Sequence, residues 1–216
     1  MKRPYILINC AMSVDGKIAS PSGKQMRISC DEDIKRMYEL RNNSDAVLVG
    51  VNTVLTDNPK LTVKDKYVKN PKQPIRVVLD TNCRTPLDAL VANGTVKTFI
   101  ITSKKNCNKK FGDNVQIIYC DTNNEGLIDL QKLLNILFNN GIKKLMVEGG
   151  STVISNFLKS GLVDDFYVYV GPIIIGGIDT PNIAGKINKG DENIKLKLIA
   201  SKPIGEGLLL HYKLIR

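Results

Sequence analysis

D-A-V-L-V-G-V-N-T-V-L-T-D-N-P-K-L-T, residues 45–62, is the stretch from which the fold is read. Ala46 to Val49 is an unbroken apolar run, closed by Gly50. A short run without polar alternation predicts a strand buried on both faces, as in the centre of a parallel sheet. Gly50 allows a sharp turn at the strand end. Asn52, Thr53, Thr56, Asp57 and Asn58 follow at once. Polar groups past the carboxyl end of a central strand lie where open α/β sheets place ligands. An ordinary polar loop would look the same, and this stretch alone leaves both readings open.

The pattern recurs outward from there. Residues 74–80 give a second such strand, I-R-V-V-L, ending at Asp80 and Thr81. Residues 98–102 and 115–119 are two more short strands, and 103–110 between them is a basic loop suited to a phosphate or simply to solvent. Arg3 to Met12 reads as the first strand, followed by the Asp15-Gly16 turn. Ser29-Cys30-Asp31-Glu32 has the spacing of a capping box, predicting a helix over 31–42 with Ile34, Met37, Tyr38 and Arg41 on one stripe. Leu130, Leu133, Leu134, Leu137 and Phe138 mark an amphipathic helix ended at Asn140-Gly141.

Residues 144–152, K-L-M-V-E-G-G-S-T, form the second informative stretch. A buried strand ends in Glu148, Gly149-Gly150 turns the chain, and Ser151 or Thr152 opens a helix. Free amides at a helix start, with no side chain in the way, bind phosphate. A glycine turn kept for packing fits equally well. Residues 165–170 give a further strand and 178–192 a loop. Residues 194–200 and 208–215 form an antiparallel hairpin carrying His211. The expected fold is α/β, a single domain over 1–216, with a mixed, mostly parallel central sheet, flanking helices and a C-terminal antiparallel hairpin.

Composition narrows the function. No stretch has the ~20 apolar residues of a membrane helix, and no signal peptide is visible, so a cytoplasmic location is expected. The five cysteines are widely spaced and there is one histidine, so neither a metal site nor a disulfide framework is expected. Serine-triad chemistry has little to work with. No G-x-x-x-x-G-K-[ST] or G-x-G-x-x-G follows a strand. The net charge of +10 admits a nucleic-acid partner, but Trp is absent and the basic clusters lack interleaved aromatics. A cleft lined by Thr, Asp, Asn, Glu and Gly-Gly suits a cofactor that carries the chemistry itself.

Six segments, taken in order, resemble the pyrimidine reductases of riboflavin biosynthesis. They are A-M-S-V-D-G-K-I-A (11–19), D-A-V-L-V-G-V-N-T-V (45–54), D-N-P-K-L-T-V-K (57–64), P-I-R-V-V-L-D (74–80), V-E-G-G-S (147–151) and P-I-I-I-G-G (172–177). The resemblance runs nearly end to end and implies a dihydrofolate-reductase-like fold. It implies NADPH-dependent reduction of a ribosylaminopyrimidine 5′-phosphate, with hydride delivered to ribose C1′. Cofactor positions carried over are Thr53, Asp57, Val78, Leu79, Asp80, Thr81, Gly149, Gly150, Ser151 and Thr152. Substrate positions are Asn9, Ser29, Leu61, Lys64 and Glu148, and Glu148 is the candidate catalytic group. Lys64 stands where Arg is frequent and cannot give Arg's bidentate grip. Asn9 stands where many bacterial members carry Lys, and the Trp many have near Met26-Arg27 is absent. With no zinc deaminase alongside, the chain looks like the archaeal and fungal arrangement. The expected substrate is therefore 2,5-diamino-6-ribosylamino-4(3H)-pyrimidinone 5′-phosphate, and the family's homodimer carries over as an expectation. Alternatives are the deaminated 5-amino-6-(5-phosphoribosylamino)uracil, a pterin or folate substrate, and a basic nucleic-acid binder.

Overall fold

Four buried side chains set the centre of the sheet. Ala46, Val47, Leu48 and Val49 are each at most 1% exposed. Successive strand residues point to opposite faces, so Ala46 and Leu48 enter one apolar layer and Val47 and Val49 the other. In the computed structural model, which describes residues 2–183, 185 and 193–215, this strand is β2, Ala46–Gly50.

The described residues form one nine-stranded sheet. In chain order the strands are β1 (Tyr5–Ser13), β2, β3 (Ile75–Leu79), β4 (Thr98–Thr102), β5 (Val115–Tyr119), β6 (Lys144–Gly149), β7 (Asp165–Gly171), β8 (Leu196–Ile204) and β9 (Gly207–Leu214). In space the order is β5-β4-β3-β2-β6-β1-β7-β9-β8. Pairing is parallel from β5 through β7, while β7–β9 and β9–β8 are antiparallel. The mixed sheet with its C-terminal hairpin is as expected. Strand order reverses around β1, β6 and β2, which opens a crevice at their carboxyl ends.

Helices cover both faces. On one face, α3 (Leu130–Asn139) and α4 (Ser151–Lys159) bring Leu133, Leu134, Leu137, Ile154 and Phe157 against Ile6, Ile8, Leu48 and Phe99. On the other, Val51 and Val54 of α2 (Val51–Asp57) and Met37 and Leu40 of α1 (Asp31–Asn42) pack on Leu7, Val47, Val49 and Val78. The polar residues after β2 are thus mostly helical rather than a loop. Asn58 at +42° ends α2 in the left-handed region.

Three local expectations change. The N-cap of α1 is Cys30, whose thiol accepts from the Asp33 amide at 3.5 Å. The Ser29 hydroxyl instead donates to the Asp33 carboxylate at 2.6 Å, because that charged acceptor lies closer to hand. The hairpin strand β8 begins at Leu196 and runs on through Pro203 to Ile204. Cys83 and Cys107, in a chain where no disulfide framework was expected, pair as a disulfide with Cα atoms 6.0 Å apart. They belong to the loops leaving neighbouring parallel strands β3 and β4, a proximity that a separation of 24 residues conceals. Of the expected 178–192 loop, 184 and 186–192 lie outside the described residues. No helix among the described residues is long and apolar enough to cross a membrane, and no cluster of metal-ligating side chains occurs among them.

Candidate active site

The crevice at the carboxyl ends of β1, β2, β3 and β6 is a cavity of about 960 Å³. One wall is the turn into α4. Gly149 has φ +139°, a region that L side chains rarely adopt. Gly150 is the N-cap and supplies no side chain. A Cβ on Gly150 would lie 3.2 Å from the Thr53 hydroxyl. The bare turn therefore lets α2 and the start of α4 approach each other, with Ser151 and Thr152 on the cavity wall. A similar closeness holds behind it, where a Cβ on Gly50 would meet Val153 Cγ2 at 2.8 Å. The result is a helix N-terminus on the cavity wall with no side chain capping it, the kind of arrangement that holds a phosphate.

At the far end of α2, Asp57 Oδ1 accepts from the Gln25 amide at 3.2 Å. Burial raises the Asp57 pKa above the ordinary carboxylate value, and the Gln25 amide pulls the other way. At the end of β3, Leu79 and Thr81 line the cavity. The other two residues of that stretch do not reach it. Val78 is 0% exposed in the core. The Asp80 carboxylate turns inward to accept from the amides of Arg84 and Thr85 and the Thr85 hydroxyl, so it builds the turn that presents Thr81.

The substrate-side expectations are mostly brought together. Asn9, Ser29, Leu61 and Glu148 all line the cavity. Leu61 is buried with φ +51°. Lys64 is not part of the wall. It is exposed, with its ammonium 5.7 Å from the Tyr38 ring centroid.

The residue the sequence reading missed is Arg41. Its Nε and Nη2 donate to the two oxygens of Glu148 at 2.6 and 2.7 Å, and its Nη1 donates to the Thr62 carbonyl at 3.0 Å. The pair is 11% and 13% exposed. Burial opposes the Arg41 charge, but the Glu148 carboxylate outweighs it and holds the pKa above the ordinary arginine value. The guanidinium also lies 5.3 Å from the Tyr38 ring, which stacks on Tyr67 at 4.6 Å. One side chain thus fixes the Glu148 carboxylate and ties the 61–64 segment beside it. The signal was present: Arg41 continues the inward stripe of α1, an odd place for a charge without a buried partner. Asn52, Asn82 and Arg84 also line the wall beyond the expected set, and Arg84 Nη2 donates to Asn52 Oδ1 at 2.7 Å.

Chemically, the cavity joins a phosphate-type turn to a carboxylate held in place by a buried arginine. Among the described residues it offers no nucleophile–histidine pair, since His211 bonds to Asp165 at 2.7 Å and is not on the cavity wall.

Comparison with known proteins places this arrangement. The family model for the RibD C-terminal domain matches residues 4–210. A protein of Archaeoglobus fulgidus named 2,5-diamino-6-ribosylamino-4(3H)-pyrimidinone 5′-phosphate reductase is 39% identical, with 95% of each chain covered. One of the same name from Methanothermobacter thermautotrophicus is 38% identical over 97% of this chain and 98% of its own. Among solved structures, a Thermotoga maritima diaminohydroxyphosphoribosylaminopyrimidine deaminase/5-amino-6-(5-phosphoribosylamino)uracil reductase superposes with a TM-score of 0.85 at 26% identity. The alignment covers 99% of this chain and 57% of that one. An Enterococcus faecalis dihydrofolate reductase shares the fold at a TM-score of 0.52 and 12% identity, over 98% and 97% of the two chains. By sequence and by fold, the chain belongs to the RibD C-terminal domain family, the reductases of riboflavin biosynthesis.

Proposed function

We propose that this protein reduces 2,5-diamino-6-ribosylamino-4(3H)-pyrimidinone 5′-phosphate with NADPH. The observation that carries the reading is one cavity joining the bare Gly149–Gly150 turn to the Arg41–Glu148 pair. The near full-length likeness to archaeal proteins bearing that reductase name supports the substrate.

The residues present fit a dinucleotide. Gly149 to Thr152 would hold the pyrophosphate, with no Cβ at Gly150 to block it. Leu79, Thr81 and Asn82 would flank the adenosine side, and Arg84 there suits the extra phosphate that separates NADPH from NADH. When bound, the cofactor supplies the hydride. The chain's own part is positioning, which contributes on the order of 7 kcal/mol or more in favourable cases. Glu148, held in one orientation by two hydrogen bonds from Arg41, would orient the sugar end of the substrate or stabilise a cationic carbon there. Asn9 and Ser29 would face the pyrimidine.

A homodimer is the assembly we infer from the family resemblance, and the exposed Leu198 and Ile199 on the edge strand β8, 51% and 44% exposed, are compatible with it.

Oxidation of reduced nicotinamide, followed by its absorbance, tests the function with the diaminopyrimidinone phosphate and the deaminated uracil in separate runs. Turnover of the first alone is expected. Turnover of the uracil alone would keep the reaction and overturn the substrate. Silence with both, in protein that binds NADPH, would overturn the function.

A further inference from the structure

Asn9 is 6% exposed, lies in the middle of β1 and lines the cavity. Its Oδ1 accepts from Arg36 Nη2 at 2.6 Å. Arginine carries only donors, so the atom facing it must be the amide oxygen. That leaves Nδ2 for the cavity, and it has no protein acceptor among the described residues. Arg36 is itself held. Its Nε donates to Asp33 Oδ1 at 2.8 Å, and the Asp33 Oδ2 accepts from the Ser29 hydroxyl at 2.6 Å. The guanidinium lies 5.9 Å from the Tyr167 ring centroid. Arg36 and Asp33 side chains are 16% and 3% exposed, and Asp33 reaches the cavity wall while Arg36 stands behind it.

A free asparagine amide offers either a donor or an acceptor by turning over. This one cannot: a flip would set an NH₂ against a guanidinium and leave two donors facing each other, a loss of about five- to 150-fold in the orientation equilibrium. We propose that Arg36 is a positioning residue that locks Asn9 as a hydrogen-bond donor, so that position 9 reads the unprotonated ring nitrogen of the substrate. The inference rests on the function proposed above. In the 2-aminopyrimidinone one ring nitrogen carries no hydrogen and accepts. In the deaminated uracil both ring nitrogens carry hydrogen, and a donor placed there meets a donor. The relay Ser29–Asp33–Arg36 thereby sets selectivity between the two compounds without touching the ring through Arg36.

Steady-state kinetics with both compounds and NADPH affinity test this on wild type, Arg36→Met, Asn9→Leu and the double variant. Loss of one oriented hydrogen bond predicts that Arg36→Met raises the KM for the diamino compound by about tenfold. Its kcat and NADPH affinity should hold within about threefold, and its preference over the uracil should fall by about the same tenfold. Because Arg36 acts through Asn9, the double variant should be no worse than Asn9→Leu alone. Additive losses, or an unchanged preference in Arg36→Met, would overturn the proposal. If Arg36→Met does not fold, Asn9→Asp decides. It keeps Arg36 paired but replaces the donor with an acceptor, so an unchanged KM for the diamino compound overturns the lock and a rise of about tenfold supports it. Wild-type protein silent with both compounds is a separate outcome: it removes the proposed function, and this inference with it.

Discussion

Arg41 is mostly buried and Arg76 fully buried, and the two arginines do opposite jobs. Arg41 lies in the last turn of α1 and faces a carboxylate, Glu148, on the cavity wall. Arg76, the second residue of β3, is 0% exposed and its described partners include no carboxylate. Its donors go to Thr98 Oγ1 at 2.8 Å, the Leu90 carbonyl at 3.0 Å, the Val96 carbonyl at 2.6 Å and Asn93 Oδ1 at 3.2 Å. Burial alone pushes the Arg76 pKa down to about 10. Its carbonyl partners neutralise none of its charge; they satisfy its protons and knit the 90–98 segment to the sheet. Arg41 holds an acid where a ligand can meet it, whereas Arg76 holds backbone where none can. A buried cation is therefore read by what it faces, and only the one facing an acid in the crevice points to chemistry.

Breaking the first of these should have the largest effect. Arg41→Met strands the Glu148 charge, costing about 3–5 kcal/mol of stability as for other broken buried pairs, and turnover should fall with it. Denaturant unfolding and the nicotinamide assay check both. Arg41→Met with Glu148→Gln sharpens the point, because the stranded charge is gone. Most of the stability should return, to within about 1–2 kcal/mol of wild type, while activity stays low. Recovery of turnover in the double variant would mean the pair is only structural.

Arg76→Met comes next. Three or more buried acceptors lose their donor at about 1 kcal/mol or more each, so a loss of roughly 3 kcal/mol is expected. The kcat at a temperature where the variant is folded should stay within about threefold of wild type, since Arg76 is not on the cavity wall. A selective loss of kcat would erase the contrast with Arg41.

Gly150→Ala is smaller. Gly150 has φ −76°, which alanine adopts freely, and the substitution restricts the unfolded chain by about 0.4–1 kcal/mol in favour of folding. The new Cβ would sit 3.2 Å from Thr53 Oγ1, so that gain and the contact should roughly cancel. NADPH affinity should nonetheless fall by about tenfold, read by titration calorimetry, because the methyl enters the turn proposed for the pyrophosphate.

The smallest effect is on pH. The Ser13 hydroxyl, with the amides of Ile175 and Gly176, holds the Asp15 carboxyl down to about 2. The folded pKa lies below the unfolded one, so the tie to the 175–176 segment is complete above the ordinary carboxylate range. It is lost as the pH falls through about 2. An NMR titration of the Gly176 amide should show that midpoint, and a midpoint in the ordinary range would mean the tie is not made.

The sequence disclosed most where one residue's neighbours in the chain are also its neighbours in space. The apolar run before Gly50, the turn at Gly149–Gly150 and the stripe of α3 are local, and the structure has β2, the start of α4 and α3 where they were expected. Helix α2 was missed because residues 52–58 are mostly polar and give too short an apolar stripe to mark a period. The charged links were missed for another reason. Arg41 and Glu148 are 107 residues apart, Arg36 and Asn9 are 27 apart, and Cys83 and Cys107 are 24 apart. Only the sheet order brings them together. Each of those side chains also had a bland local explanation: an end of a helix, a strand end, a loop thiol.

That sheet order also dictates a timetable. Strand β6, residues 144–149, lies between β1 and β2, whose residues are 5–13 and 46–50. A growing chain thus holds two apolar strands with no shared neighbour for the ~100 residues that separate β2 from β6. At roughly 5–20 residues per second that gap lasts about 5–20 s on the ribosome. Through that interval the edges of β1 and β2 are open templates for pairing with other chains. Strand β6 brings Glu148 and Gly149 with it, so the step that joins β1 to β2 also gives the cavity its acid and its glycine turn, before β7 and the hairpin extend the sheet.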